Sequence, residues 1–318
     1  MKGRVSSTIV ELKISFSMRR SEFLQALAAG VLTLSLSPLR LEALAADRKP
    51  LRFGILTDAH YADRTPSGSR HYADSIAKVR EAVAEFRRAK VDFVIELGDW
   101  KDTTQLSEAE PTLRFLDTIE RELQAYGGPV YHVLGNHDMD CLTKAEFLAH
   151  TANAGRARGK AFYSFAVRGV RCIVLDANYN EDFSPYERGN FDWRKAYIPG
   201  EQIEWLDAEL AKHSGEPTLI FLHQMLDSFS DISKNVCVGN ASEVVAVLER
   251  DKQVVAVFQG HHHPGHYSQR EGIHYLTLPG MIEQAAPANA YAVVEMSADR
   301  ITVEGFKACP DRVMQRKR

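Results

Sequence analysis

Five polar clusters punctuate this 318-residue chain, and each directly follows an apolar run. They are Asp58-Ala59-His60, Gly98-Asp99-Trp100-Lys101-Asp102, Gly135-Asn136-His137-Asp138, a lone His223, and Gly260-His261-His262-His263. The preceding runs are residues 51–57, 91–97, 130–134, 218–222 and 254–259. Runs so short and so continuously apolar read as strands buried on both faces. In open α/β sheets, ligands bind beyond the carboxyl ends of the strands, which is where these polar residues fall.

The segments between the runs support the same architecture. Residues 73–88 carry Ile76, Val79, Val83 and Phe86 at helical spacing, so the first strand and this helix form a β-α unit. The run 91–97, a helix over 113–123 and the run 130–134 continue the alternation, which predicts a parallel sheet with right-handed crossovers. Residues 161–167 and 171–176 flank Arg168-Gly169 as a hairpin. A helix over 201–210, the strand before His223, a helix over 243–250 and the strand before Gly260 repeat the β-α pattern. Segments 272–278, 291–296 and 301–306 read as closing antiparallel strands. The whole predicts two packed mixed sheets with helices outside, and no internal linker divides it. With 45% hydrophobic residues, the chain has enough apolar side chains to bury a full core.

The residue types in the clusters suit metal ions. Carboxylate oxygens and imidazole nitrogens match borderline and hard divalent ions, and a set without cysteine argues against a thiolate-type structural zinc site. Two metals about 3.5–4 Å apart need a bridging carboxylate, two ligand sets and a shared water that becomes the attacking hydroxide. Asp58, His60, Asp99, Asn136, His223, His261 and His263 are enough residues for that. Glycines stand directly before Asp99, Asn136 and His261, where a residue without Cβ permits a sharp turn and close approach.

The ordered set D-x-H, GD-x-x-D, GNH-D/E, a single His and GH-x-H resembles the calcineurin-like metallophosphoesterases over residues 51–306. The resemblance implies a four-layer α/β/β/α sandwich and a dinuclear phosphohydrolase whose nucleophile is a metal-bridging hydroxide. One metal would be held by Asp58, His60, Asp99 and His263, and the other by Asp99, Asn136, His223 and His261, with Asp99 bridging. His137 would be the catalytic histidine and Asp102 its orienting carboxylate, a general-acid pair of the kind that contributes about 10²–10⁴-fold. The remaining histidines, His71, His132, His150, His213, His262, His266 and His274, are assigned to surface or packing roles.

Within that superfamily, the segment 191–210 with Gly200-Glu201-Gln202-Ile203-Glu204-Trp205-Leu206 is similar to the manganese-dependent ADP-ribose/CDP-alcohol diphosphatase group. So are Asn235-Val236-Cys237, Gly280-Met281-Ile282-Glu283 and Pro310-Asp311-Arg312-Val313-Met314. This chain departs from that group at His60, where the group has Gln, and at Asp138, where it has Glu. The likeness implies two divalent metal ions, manganese in first place with iron or zinc as alternatives. It also implies cleavage of a nucleoside diphosphate-X compound. The alternatives are a broad-specificity phosphomonoesterase or phosphodiesterase, and a non-catalytic metal-binding scaffold of the same fold.

Between 176 and 201 the periodicity breaks, and the stretch holds Tyr179, Phe183, Tyr186, Phe191, Trp193 and Tyr197. Loops this long in a compact domain are usually functional or disordered, and this one is too aromatic for disorder. It is expected either to form a lid that binds substrate through Tyr179, Phe183, Tyr186, Phe191 and Trp193, or to be a satellite packing cluster.

The N-terminus differs from the body. Residues 23–39 are uncharged, follow Arg19-Arg20, and precede Ala43-Leu44-Ala45, a small-x-small cleavage pattern. We expect residues 1–45 to be an export signal resembling the twin-arginine type, residues 46–318 to be the metallophosphoesterase domain, and the mature protein to be periplasmic. A buried helix is the competing reading, and either Met1 or Met18 can be the start. Signal removal would take away six basic and three acidic residues, shifting the net charge from −3 to −6. With no basic block in the body, no nucleic-acid partner is expected, and no stable membrane span remains. The partner is a small phosphorylated substrate. Cys141, Cys172, Cys237 and Cys309 are scattered and form no disulfide framework.

Overall fold

Two six-stranded sheets carry the chain, each built around parallel strands buried on both faces. The computed structural model describes residues 49–154 and 159–316, so the expected export signal lies outside the described residues. In the first sheet β1 (Leu51–Leu56), β2 (Phe93–Glu96) and β3 (Val130–His132) run parallel. Beyond β1, β10 (Ala290–Met296), β11 (Arg300–Lys307) and β12 (Arg312–Gln315) each pair antiparallel with the strand before, in the order β12-β11-β10-β1-β2-β3. In the second sheet β5 (Val170–Val174), β6 (Thr218–Phe221), β7 (Val254–Gln259) and β9 (Ile273–Thr277) are parallel. The antiparallel edges are β4 (Tyr163–Val167) and β8 (His266–Arg270), giving the order β4-β5-β6-β7-β9-β8.

The closing strands correct one expectation. The segment at 272–278 was expected to be antiparallel, whereas β9 lies parallel to β7 and only its hairpin partner β8 reverses direction. The sequence of β8, His-Tyr-Ser-Gln-Arg, is half-exposed and lacks an apolar run, so it carries no strand signal of its own.

Apolar residues from both sheets meet in one core. Phe53 of β1 stacks on Phe93 at 5.0 Å and meets Phe221 of β6 and Phe258 of β7 edge-on at 5.8 and 5.5 Å. Such ring pairs contribute about 0.5–1.5 kcal/mol each beyond their buried area. Outside the first sheet, helix α1 (Ser75–Ala89) buries Val79, Val83 and Phe86, and α2 (Ala109–Gln124) buries Leu116, Ile119 and Leu123. A short helix α3 (Lys144–His150) is started by a reciprocal capping box between Thr143 and Glu146. Outside the second sheet, α4 (Gly200–Lys212) and α5 (Ala241–Arg250) bury Leu206, Leu210, Val244 and Leu248. The result is the expected helix-sheet-sheet-helix sandwich. None of the helices among the described residues is long and apolar enough to cross a membrane.

Candidate metal centre

Directly after β1, β2, β3, β6 and β7 the chain turns sharply, and the polar clusters sit in those turns. Asp58, His60, Asp99 and His261 all hold positive φ, at 53°, 45°, 56° and 69°. Such left-handed conformations cost non-glycine residues energy and persist where surrounding structure enforces them, often at functional sites. The turns also pack against one another with no room for a side chain. A Cβ on Gly135 would lie 2.1 Å from the Asp99 backbone nitrogen, and one on Gly260 would lie 2.1 Å from Thr57 Oγ1.

These turns bring two donor clusters together, one of Asp58, His60 and His263 and one of Asp99, His223 and His261. His60 Nε2 and His263 Nε2 are 3.3 Å apart, and Asp58 Oδ1 lies 3.3 Å from His263 Nε2. In the second cluster His261 Nδ1 is 3.2 Å from His223 Nε2. Asp99 Oδ2 stands between the clusters, 3.5 Å from His60 Nε2 and 3.2 Å from His223 Nε2. Its other oxygen, Oδ1, accepts the His137 backbone N–H at 2.7 Å, so a single oxygen is presented to both sides.

In each of three residues, His223, His263 and Asp58, one polar atom is tied back and another is left to the centre. His223 Nδ1 bonds to the Leu97 carbonyl at 2.8 Å, and His263 Nδ1 bonds to Glu283 at 2.6 Å, so Nε2 of each ring faces inward. Asp58 Oδ2 accepts from Thr57 Oγ1 and from the His261 N–H, at 2.6 and 3.1 Å. Asp58 Oδ1 and Asn136 Oδ1 are buried with no hydrogen-bond partner in the protein. Burying such acceptors unpaired costs about 1–3 kcal/mol each, which a cation in the centre removes. Burial by itself would raise the carboxyls of Asp58 and Asp99. The surrounding imidazoles, His263 and His60 for Asp58 and His223 and His137 for Asp99, instead hold both well below the usual range. An all-oxygen-and-nitrogen set in two preformed donor clusters fits a pair of divalent ions.

Comparison with known proteins agrees with this geometry. The calcineurin-like phosphoesterase pattern matches residues 51–265. The chain belongs to the calcineurin-like phosphoesterase family. As such it is a metal-dependent hydrolase of a fold that uses two divalent metals. It is 27% identical to a manganese-dependent ADP-ribose/CDP-alcohol diphosphatase of Oryza sativa subsp. japonica, covering 85% of this chain and 96% of that protein. The Danio rerio protein of the same name is 25% identical over 80% of this chain and 94% of its own length. Among solved structures, a dimetal phosphatase from Danio rerio superposes with a TM-score of 0.73 at 24% identity, covering 85% of this chain and all of that one.

Around this phosphoesterase centre lie residues to which the motifs alone gave no role. Asp138 ties two of the turns together: its carboxylate accepts backbone N–H groups from Asp99 at 3.0 Å, Trp100 at 2.9 Å and Gly135 at 2.8 Å. Fully buried Lys101 donates its Nζ to the His137 carbonyl. Lys78, also buried, donates to the carbonyls of Met281, Glu283 and Gln284, which fixes the segment that brings Glu283 to His263. A charged residue inside an apolar helix face was the only signal for Lys78. Gly280-Met281-Ile282-Glu283 carried a family likeness without a role, and the role is now plain.

Asp102 lies beside both His137 and His60. Its Oδ2 is 3.7 Å from His137 Nδ1, whereas Asp140 Oδ2 is 2.9 Å from the same nitrogen. Asp102 also faces His60 Nδ1 at 3.4 Å and accepts from Arg64 at 3.0 Å. Burial would lower the His137 pKa, and the charges of Asp140, Asp99 and Asp102 outweigh it, raising it to about 9.

The aromatic stretch divides in two. Tyr186 is fully buried and stacks on Phe191 at 4.2 Å, packed into the core beside α1 and α2. Tyr186 is a packing residue, so its expected place in a substrate surface is corrected, and Phe191 is partly buried against it. Tyr179 is partly buried with Lys144 Nζ 3.5 Å above its ring, and Lys144 is paired with Asp176. Phe183 and Trp193 are 48% and 45% exposed, and the Trp193 ring stands 5.7 Å from that of His261. Trp193 is therefore the ring of this stretch placed against the proposed metal ligands.

Proposed function

We propose that this protein is a diphosphatase of nucleoside diphosphate-X compounds, of the ADP-ribose or CDP-alcohol type, working with two divalent ions of which manganese is the first choice. The observation that carries the substrate class is Trp193, a half-exposed indole beside His261. A nucleobase presents a flat π surface, and stacking on an aromatic ring contributes about 1–3 kcal/mol per base. The names borne by relatives along nearly their whole length support the same substrate class.

When bound, the ion pair supplies Lewis acidity and lowers the pKa of water to near neutrality. Asp58, His60 and His263 would hold one ion, and Asn136, His223 and His261 the other, with Asp99 shared. The protein's own part is to aim those donors, which the buried hydrogen bonds of Asp58, His223 and His263 accomplish. His137 stands at the edge of the centre, its ring 4.6 Å from that of His60, and serves as the proton donor to the departing oxygen.

Turnover of ADP-ribose, CDP-choline, a simple phosphomonoester and bis-p-nitrophenyl phosphate, measured with added manganese, tests this reading. The nucleotide compounds should exceed the others in kcat/KM. Trp193→Ala should raise KM for them about tenfold, from the stacking energy above, while leaving bis-p-nitrophenyl phosphate hydrolysis near wild type. Equal losses on both kinds of substrate would assign the loop to the fold and leave a broad-specificity phosphoesterase.

A further inference from the structure

We propose that the cleft between β8 and β12 is a binding site, separate from the metal centre, for a small organic carboxylate whose charged head pairs with Arg312. β8 closes one edge of the second sheet and β12 one edge of the first, and residues of both line a cavity of about 270 Å³. Small-molecule sites span about 300–1,000 Å³ and are mostly apolar with a few placed polar groups, so this cavity stands near the lower end of that range. Tyr267, Leu276, Leu278, Pro279 and Pro310 supply its apolar walls, and Arg312 is the one lining residue that carries a permanent charge.

That charge is uncompensated. The Arg312 guanidinium lies 3.9 Å over the Tyr267 ring, its Nε is buried with no hydrogen-bond partner, and none of its nitrogens has a hydrogen bond or ion pair among the described residues. A guanidinium keeps its proton and offers five N–H donors, so a buried one without an acceptor is costly. Thr277 and His266, the other polar side chains on the lining, are bonded to Gln259 and Ser230 at 3.1 and 3.2 Å. No carboxylate stands among the described residues that line the cavity.

The platform under the guanidinium is fixed. His274 Nε2 lies 2.9 Å from the Gln315 carbonyl of β12, and its Nδ1 lies 2.9 Å from the Tyr267 hydroxyl of β8. A carbonyl only accepts, so Nε2 carries the proton, and burial lowers the pKa of this imidazole, which leaves Nδ1 to accept from the hydroxyl. The tyrosine ring is thereby tethered across the cleft, and the guanidinium plane rests on it. A planar fork held in place matches a carboxylate two N–H groups to two oxygens. A purely apolar occupant would leave Nε unpaired, and a bare anion would leave the walls at Leu276, Leu278 and Pro279 uncovered, so the fitting ligand has both parts. The Pro279 wall continues into Gly280, where a Cβ would lie 2.8 Å from His263 Cγ. The cavity and the metal centre thus share a partition without sharing a donor.

Calorimetric titration of the full chain tests this, with benzoate as the probe, acetate as the head without the body, and benzamide as the body without the charge. Benzoate should bind once per chain with equal affinity in manganese-loaded and metal-free protein. Acetate and benzamide should each bind about tenfold or more weakly, in line with the loss of the apolar contact or of a charge-assisted pair. Arg312→Gln should weaken benzoate by a similar factor. Ala308→Trp, at an exposed position on the cavity rim, should weaken it by filling the space while keeping the guanidinium. Both variants should retain wild-type manganese content and hydrolysis of bis-p-nitrophenyl phosphate, which shows that the fold is intact. No binding of benzoate to wild type, undiminished binding in Arg312→Gln, or binding only when manganese is present would overturn the proposal. Benzamide binding as well as benzoate would equally remove the carboxylate from it.

Discussion

Two buried clusters of carboxylates and imidazoles lie within a few residues of each other at the end of β2, and they are wired oppositely. In the first, His132 sits between two glutamates, Nδ1 2.9 Å from Glu96 Oε2 and Nε2 3.2 Å from Glu120 Oε2. Glu96 also accepts the Gly98 N–H, and Glu120 accepts from the Ala152 N–H at 3.0 Å and Gln124 Nε2 at 2.8 Å. In the second, the Nε2 atoms of His60 and His263 point at each other, and buried Asn136 Oδ1 has no partner. Both set carboxylates against imidazoles in largely buried surroundings. What differs is that the second cluster also turns imidazole nitrogens toward each other and leaves the buried oxygens Asp58 Oδ1 and Asn136 Oδ1 without a hydrogen-bond partner. A closed cluster of alternating charge is structural, whereas converging lone pairs call for a cation. The packing role expected for His132 therefore takes a specific form, a buried ionic triad.

The sharpest break of this comparison is Asp99→Ala, which removes the oxygen facing both donor clusters. Both ions and essentially all hydrolysis should be lost, and metal analysis that still finds two ions would undo the bridging assignment. Next comes His132→Ala, which leaves two buried carboxylates facing each other. Breaking a buried ion pair costs about 3–5 kcal/mol, to be read from denaturant unfolding, while the folded fraction keeps its two ions. Loss of metal without loss of stability would show that the triad is part of the metal centre after all.

A smaller effect is expected from Glu283→Gln, since it weakens only the carboxylate that orients His263. Partners of this kind are worth about 10–100-fold in metal affinity, so calorimetric titration with manganese should show one weakened site and nearly unchanged stability. Unchanged affinity at both sites would remove Glu283 from the centre.

The smallest expected effect is on the pH dependence of stability. Burial alone would lower the pKa of His132, but Glu120 and Glu96 raise it to about 10, above the ordinary value near 6.5. The folded state therefore holds this proton more tightly than the unfolded state. The resulting stabilisation is complete below about pH 6.5 and is lost as pH rises toward about 10. Burial raises Glu96 to about 7 against its ordinary 4.5, so its change lies mainly below the upper part of that window. The gap in unfolding free energy between wild type and His132→Gln should shrink from pH 7 to 10. A gap independent of pH across that range would mean that His132 is neutral in the folded protein.

Much of the site was legible because the clusters follow strands, and strand ends are a local property. Asp58, His60, Asp99, Asn136, His223, His261 and His263 each lie within four residues of a strand end, and parallel pairing carries those ends to one edge. The partners of these residues were less visible. Glu283 reaches His263 from twenty residues away through a segment fixed by Lys78, and no spacing rule links the three. The aromatic stretch failed as a group for a related reason. Tyr186 and Trp193 lie seven residues apart in one irregular segment, and without a period nothing in the sequence separates the ring that packs from the ring that faces the site.

Composition and order alone determined the class of chemistry: which donor atoms exist, that thiolates are not among them, and that they fall where α/β sheets bind ligands. Those conclusions need only residue identity and the short-range preferences that make strands and helices. The tertiary structure decided which atom of each residue is free. Whether a glutamate closes on a histidine or leaves it open, and which face of a loop meets solvent, depend on directions and distances of a few ångströms between segments far apart in the chain. Hydrogen bonds and burial energies change steeply over those distances, so the pattern of letters names the candidates and the packed fold selects among them.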